Sequence, residues 1–149
     1  MARRYVVTVS AMALVAATNK GLVELATPST VAKVCVVEWA LTCDGVTATN
    51  VPILAEWIQT TATGTGSAFT PLQLGGAAVA SITTAKTAIT TIGSTPTVYF
   101  SYYVPPTSGL CVQSPLGREP IEMMASQFWT LRLNAPNNVN ASGYVVFEE

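Results

Sequence analysis

The closing stretch of the chain, Phe128 to Glu149, constrains the fold most. It runs Phe128-Trp129-Thr130-Leu131-Arg132-Leu133-Asn134, then Ala135-Pro136-Asn137-Asn138-Val139-Asn140-Ala141, then Ser142-Gly143-Tyr144-Val145-Val146-Phe147-Glu148-Glu149. In the first run Trp129, Leu131 and Leu133 alternate with Thr130, Arg132 and Asn134, the two-residue period of a strand with one face buried. Turn formers between two β-rich runs predict a closing hairpin.

Similar runs recur upstream, separated by turn residues. Arg4 to Ser10 reads as a strand with Tyr5, Val7 and Val9 on one face. Gly21 to Ala26 follows the turn-rich Asn19-Lys20-Gly21. Lys33 to Thr42 is the longest apolar run, and its near-continuous hydrophobicity predicts a central strand buried on both faces. Ile53 to Thr61 is rich in β-branched and aromatic residues and reads as strand. The glycines and threonines of 62–76 predict a loop long enough to serve as a contact arm. Strands are further expected at Val79–Ile92, at Thr97–Val104 ending on Pro105-Pro106, at Leu110–Gln113 and near Arg118–Met124. About eight strands at this spacing, in a chain of single-domain size, predict one all-β sandwich spanning 1–149. No internal repeat is visible.

Composition narrows the function. Hydrophobic residues are 50% of the chain and charged residues only 10%, against a usual charged share of about 25%. Charge keeps monomers soluble and apart, so an exterior this poor in charge is expected to be covered partly by other subunits. The formal net charge is −1 and no basic stripe exists, which argues against nucleic acid. Met1-Ala2-Arg3-Arg4 before an apolar stretch has the outline of a secretory leader. Thr8 and Ser10 interrupt that stretch at alternating positions, so a strand is the expectation. No run approaches the ~20 apolar residues of a membrane helix, and no membrane association is expected.

The chain lacks the usual catalytic parts. It has no histidine, which removes Ser-His-Asp and Cys-His activation and every His-based metal site. Asp44 is the only aspartate, and the glycines of 62–76 match no phosphate-binding pattern. Glu119 and Glu122 form the one close acidic pair away from the terminus; beside Pro120 they read as solvated charges. Glu38 and Glu56 each neighbour a tryptophan and are expected to face solvent or pair with Lys33, Lys86 or Arg132. Cys35, Cys43 and Cys111 form neither a disulfide framework nor a zinc site. No enzyme activity, cofactor or metal is expected. Trp39 and Trp129 are assigned to the core, while Arg3, Arg4, Tyr5, Trp57, Tyr102 and Tyr103 are the interface candidates. Adjacent Tyr102 and Tyr103 must point to opposite faces of their strand.

The opening Met1-Ala2-Arg3-Arg4-Tyr5 and the closing Leu131-Arg132-Leu133, Pro136 and Ser142-Gly143-Tyr144-Val145-Val146-Phe147-Glu148-Glu149 resemble small virion proteins encoded among the head genes of tailed double-stranded DNA bacteriophages. The resemblance implies a capsid cement or decoration protein with a jelly-roll-like sandwich. It would sit on the outer surface of the virion after assembly in the host cytoplasm. Its partners would be the major capsid protein and itself, as a homodimer or homotrimer. Reduced cysteines would suit that compartment. A tail or neck component of the same particle is the alternative location. A secreted fimbrial subunit is the alternative class, and it predicts a cleaved leader and an intramolecular disulfide.

Overall fold

The computed structural model describes residues 2–30, 33–45, 51–115 and 121–149, and no helix occurs among them. The strands are β1 (Arg4–Leu14), β2 (Asn19–Ala26), β3 (Val34–Cys43), β4 (Ile53–Thr60), β5 (Thr65–Phe69), β6 (Leu72–Gln73), β7 (Thr84–Thr91), β8 (Thr97–Val104), β9 (Gly109–Gln113), β10 (Glu122–Met123), β11 (Phe128–Asn134) and β12 (Val139–Glu148). They form two antiparallel sheets. The first runs β10-β3-β12-β1-β6, with β9 also pairing β3; the second runs β5-β7-β2-β11-β4-β8.

Consecutive strands repeatedly change sheet: β1/β2, β3/β4, β8/β9 and β11/β12 each divide between the two. The expected closing hairpin is therefore absent. β11 pairs with β2 and β4, and β12 pairs with β1 and β3. The residues between them do reverse the chain, but with Ala135 fully buried the reversal arches from one sheet to the other. Turn chemistry encodes the reversal and says nothing about which strand becomes the neighbour.

The inward positions follow the two-residue period. Trp129, Leu131 and Leu133 of β11 join Ile53, Ala55 and Trp57 of β4, facing Val36, Trp39 and Leu41 of β3 and Val145 and Phe147 of β12. Tyr5 stacks on its cross-strand partner Phe147 with ring centroids 5.6 Å apart. Trp39 and Trp57 meet edge-on across the sheets at 6.3 Å. Burying such side chains supplies about 1.5–3 kcal/mol each.

Four further expectations change. β3 is buried on one face only, because Cys35, Glu38 and Ala40 on its outer face are half-covered. Its hydrophobic run is lengthened by a bulge: Val146 pairs with Glu38 and Phe147 with Val36, leaving Val37 as the extra residue. The 62–76 segment is not one loop, since it contains β5 and β6. Edge pairing uses backbone groups, so glycine and threonine do not prevent it. The Val79–Ile92 strand shrinks to Thr84–Thr91, because the amides of Val79, Ile82 and Thr83 bond to side chains instead. Twelve strands replace about eight mainly because β5, β6 and β10 have only five, two and two residues, too short for a period to be read. Residues 116 and 117 of the turn expected at 115–117, and 118–120 of the Arg118–Met124 piece, lie outside the described residues; the rest of that piece contains β10.

Bulges shape both sheets. In β1 the register shifts between Val9 and Met12, and Ala11 adopts φ 50° with its N–H donating to Ser142 Oγ at 2.9 Å. Ala88 in β7 has φ 49°. Gly21 permits close packing at the β2 bulge, since a Cβ there would lie 2.7 Å from Thr130 Cγ2 and 2.9 Å from Ile89 Cβ. Leu131 sits at the centre of β11 with no exposed surface. Leu131→Ala is expected to destabilise the protein by about 2–5 kcal/mol, read from the denaturation midpoint.

Candidate interaction surface

The polar and charged groups are mostly committed to holding the fold. On the outer face of the second sheet, Glu24 is 1% exposed. Its Oε1 accepts from the Thr63 hydroxyl at 2.5 Å, and its Oε2 accepts from Gly64 N–H at 2.8 Å and the Thr130 hydroxyl at 3.3 Å. Lys86, paired with Glu24 across β2 and β7, donates to Thr63 Oγ1 and to the Gly64 carbonyl, both at 2.7 Å. These bonds fold residues 61–66 back over the sheet. Ile89 is buried beneath them, so close that a Cβ on Gly64 would lie 2.8 Å from its Cγ2. The first half of the expected arm is thus stitched down.

Beside this cluster, Arg132 of β11 binds Glu56 of β4, its cross-strand partner, through Nε at 3.0 Å and Nη2 at 2.5 Å. Both side chains are largely buried. On the outer face of the first sheet, Glu38 accepts from the Tyr144 hydroxyl and from Gln113 Nε2 at 2.6 Å. Those donors hold the Glu38 carboxyl below its ordinary 4.5, and the Glu38 contact raises the Tyr144 phenol. Asp44 accepts from the Asn140 backbone and side-chain N–H groups at 2.6 and 2.7 Å, which lowers its carboxyl.

None of these clusters joins a nucleophile to a base and an open cleft. Among the described residues no three His, Cys, Asp or Glu side chains are placed to hold a metal ion. Glu122 is exposed and pairs with Lys33 at 2.6 Å, while Glu119 lies outside the described residues. All three cysteines are thiols. Burial, helped by the Asp44 charge, pushes the Cys43 thiol up to about 11.

The interface candidates separate into two groups. Tyr5 and Trp57 are core residues, 1% and 0% exposed, and neither reaches the surface. Their aromatic size, which suggested contacts, is used to fill the sandwich. Tyr102 is half-buried edge-on against Trp39 at 5.2 Å. Its neighbour Tyr103 points outward and is 74% exposed. Arg3 is exposed, and Arg4 pairs with Glu148 at 2.5 Å. Arg4 opens β1 in the first sheet and Arg3 precedes it, whereas Tyr103 stands on the far edge of the second.

The arginines lie beside a surface of which the expected 62–76 arm covers only the start. Residues 74–83 form no strand. They are tied down at two points: Gln73 Oε1 accepts from Val79 N–H at 2.6 Å, and the Glu149 carboxylate accepts from the Ile82 and Thr83 N–H groups and the Ser81 hydroxyl. Along this stretch and the strand before it, Leu72, Leu74, Val79 and Ile82 all project into solvent. Arg3 and Arg4 share a depression with Leu74, Gly75, Gly76 and Val79. The available signal was Leu74-Gly75-Gly76-Ala77-Ala78-Val79, an uncharged apolar run without a strand period.

Comparison with family models, with curated proteins and with solved structures finds no match.

Two measurements test these environments. Folded-state lowering of Asp44 and Glu38 contributes stability above their ordinary carboxylate range, and that stability is lost as pH falls through the folded values. The doubly substituted Asp44→Asn, Glu38→Gln protein should therefore show a shallower loss of Tm on acidification from pH 5 than wild type. A parallel acid limb would contradict the assignment. The raised Cys43 value favours the neutral thiol, a contribution present below its ordinary 9.0 and lost as pH rises through about 11. At mildly alkaline pH, mass spectrometry should find exposed Cys111 alkylated well before Cys43, with Cys43 modified at the rate of unfolding.

Proposed function

We propose that the protein is a structural virion component, a capsid cement or decoration protein of a tailed double-stranded DNA phage. In this reading it binds the major capsid protein from outside, self-associates, and reinforces the shell. Its sandwich is then a jelly roll. The strand order supports this: β1-β12-β3-β9 beside β2-β11-β4-β8, with consecutive strands divided between the sheets, is what rolling up one long paired hairpin produces. Jelly rolls built this way recur in viral capsid domains.

The observation that carries the reading is the uncovered apolar arm at 72–82 beside Arg3 and Arg4, on a chain with 10% charged residues. Large exposed apolar groups rimmed by polar ones mark contact surfaces. A shell offers the same contact many times, so modest affinity at each site becomes strong attachment once copies are linked. Internal ties consume many of the few charges, which leaves an exterior suited to docking.

The test uses particles with and without the protein. Its presence should raise the temperature at which genome is released, and imaging should place it on the shell lattice. Replacing Leu74 and Ile82 by Asp should lower occupancy about tenfold or more, with the Tm of the isolated protein unchanged. Equal resistance with and without the protein, or density following the tail axis, would overturn the proposal.

A further inference from the structure

The second sheet ends on β8, and that edge has unusual properties. Of the outer strands, β6 and β10 have two residues and β5 and β9 have five, whereas β8 has eight. β8 pairs with β4 along its whole length, and no described strand pairs with its other side. Long free edges are ordinarily guarded by charge, proline or short length. Thr97-Val98-Tyr99-Phe100-Ser101-Tyr102-Tyr103-Val104 contains neither a charge nor a proline. Val98, Tyr99 and Tyr103 are 45%, 50% and 74% exposed. Unpaired backbone groups along such an edge are best satisfied by another extended strand.

The faces of β8 select the partner. Phe100 and Tyr102 pack towards the core, while Ser101 and Tyr103 point outward. A bulge then intervenes: Phe100 pairs with Trp57 and Val98 with Ile58, so Tyr99 is an extra residue and Val98 also points outward. Residues directly opposite in an antiparallel pair must share a face. A two-fold axis at Ser101 meets that condition throughout. Phe100 faces Tyr102 of the second copy, both inward. Tyr103 faces the Val98–Tyr99 bulge, with Val98 outward like Tyr103. Thr97 faces Val104, both inward. The bulge counts as one rung here, since residue-for-residue pairing would set outward Val98 against inward Val104. A two-fold contact doubles any charge it contains, and this strand contains none.

We propose that two copies of this chain pair antiparallel along β8 about Ser101, joining their second sheets into one continuous sheet. This specifies the self-association in the reading above, and its test uses purified protein alone, so its failure leaves shell binding to be judged by the particle experiment. Sedimentation equilibrium of the full chain at micromolar concentration should give a dimer. Amide exchange should slow across 97–104 as concentration rises. Val98→Lys and Tyr103→Lys, each at an exposed position, should weaken the dimer about tenfold or more while the circular dichroism spectrum stays as in wild type and Tm matches that of wild type diluted to monomer. The double variant Val98→Lys, Tyr103→Glu sets an ammonium group on each copy opposite a carboxylate on the other and should restore dimerisation. A monomeric wild type, a dimer indifferent to both single variants, or failure of the charge pair to rescue would overturn the proposal. So would a monomer whose β8 amides are protected only on capsid particles, since the occupant would then be the shell protein.

Discussion

Both sheets depend on strands that come last in the chain. β12 lies between β1 and β3, and β11 lies between β2 and β4. The register that joins Arg4 to Glu148 and Leu14 to Val139 closes nearly the whole chain into a loop. Closing a long loop costs entropy that grows slowly with length, and the strands gain nothing until it is done. Such non-local pairing slows folding relative to proteins built from local contacts. Until β11 and β12 arrive, β1, β2, β3 and β4 each lack a central neighbour, and the apolar faces of Trp39 and Trp57 lack their cover.

The sparse charges fit this architecture. Glu24 and Lys86 hold the 61–66 segment, Glu56 and Arg132 join β4 to β11, and Glu149 holds 81–83. A buried charge is tolerable only when its bonding capacity is met, and the Glu24 oxygens meet theirs with three donors from two segments. Charge spent internally is unavailable for repulsion between molecules. What remains outside is largely threonine, serine and asparagine, interrupted by the leucines, valine and isoleucine of 72–82 and by Tyr99 and Tyr103 of β8.

The legible parts of the fold were those governed by local period. Alternation in Phe128–Asn134 correctly gave the inward set Trp129, Leu131 and Leu133. Adjacent Tyr102 and Tyr103 had to diverge, and do. Pairing was not legible, because a turn such as Ala135–Asn138 reverses the chain equally well within a sheet or between sheets. Nor was the division of aromatics between core and surface: Tyr5 and Tyr103 are alike in sequence context, yet one lies in a central strand and the other on an edge. Glu24 sits in Leu22-Val23-Glu24-Leu25, a strand that looks half-exposed. Its burial comes from residues 63 and 64, which no local pattern places there.

The pairing of Trp39 with Trp57 has a practical side. The two indoles belong to opposite sheets, sit 6.3 Å apart and are inclined at 80°. Chromophores that close, at that inclination and shielded from water, couple their electronic transitions, and the coupling depends steeply on separation. The molecule therefore carries an intrinsic optical gauge of the distance between its layers, one that loosened packing would dim while strand content stayed the same.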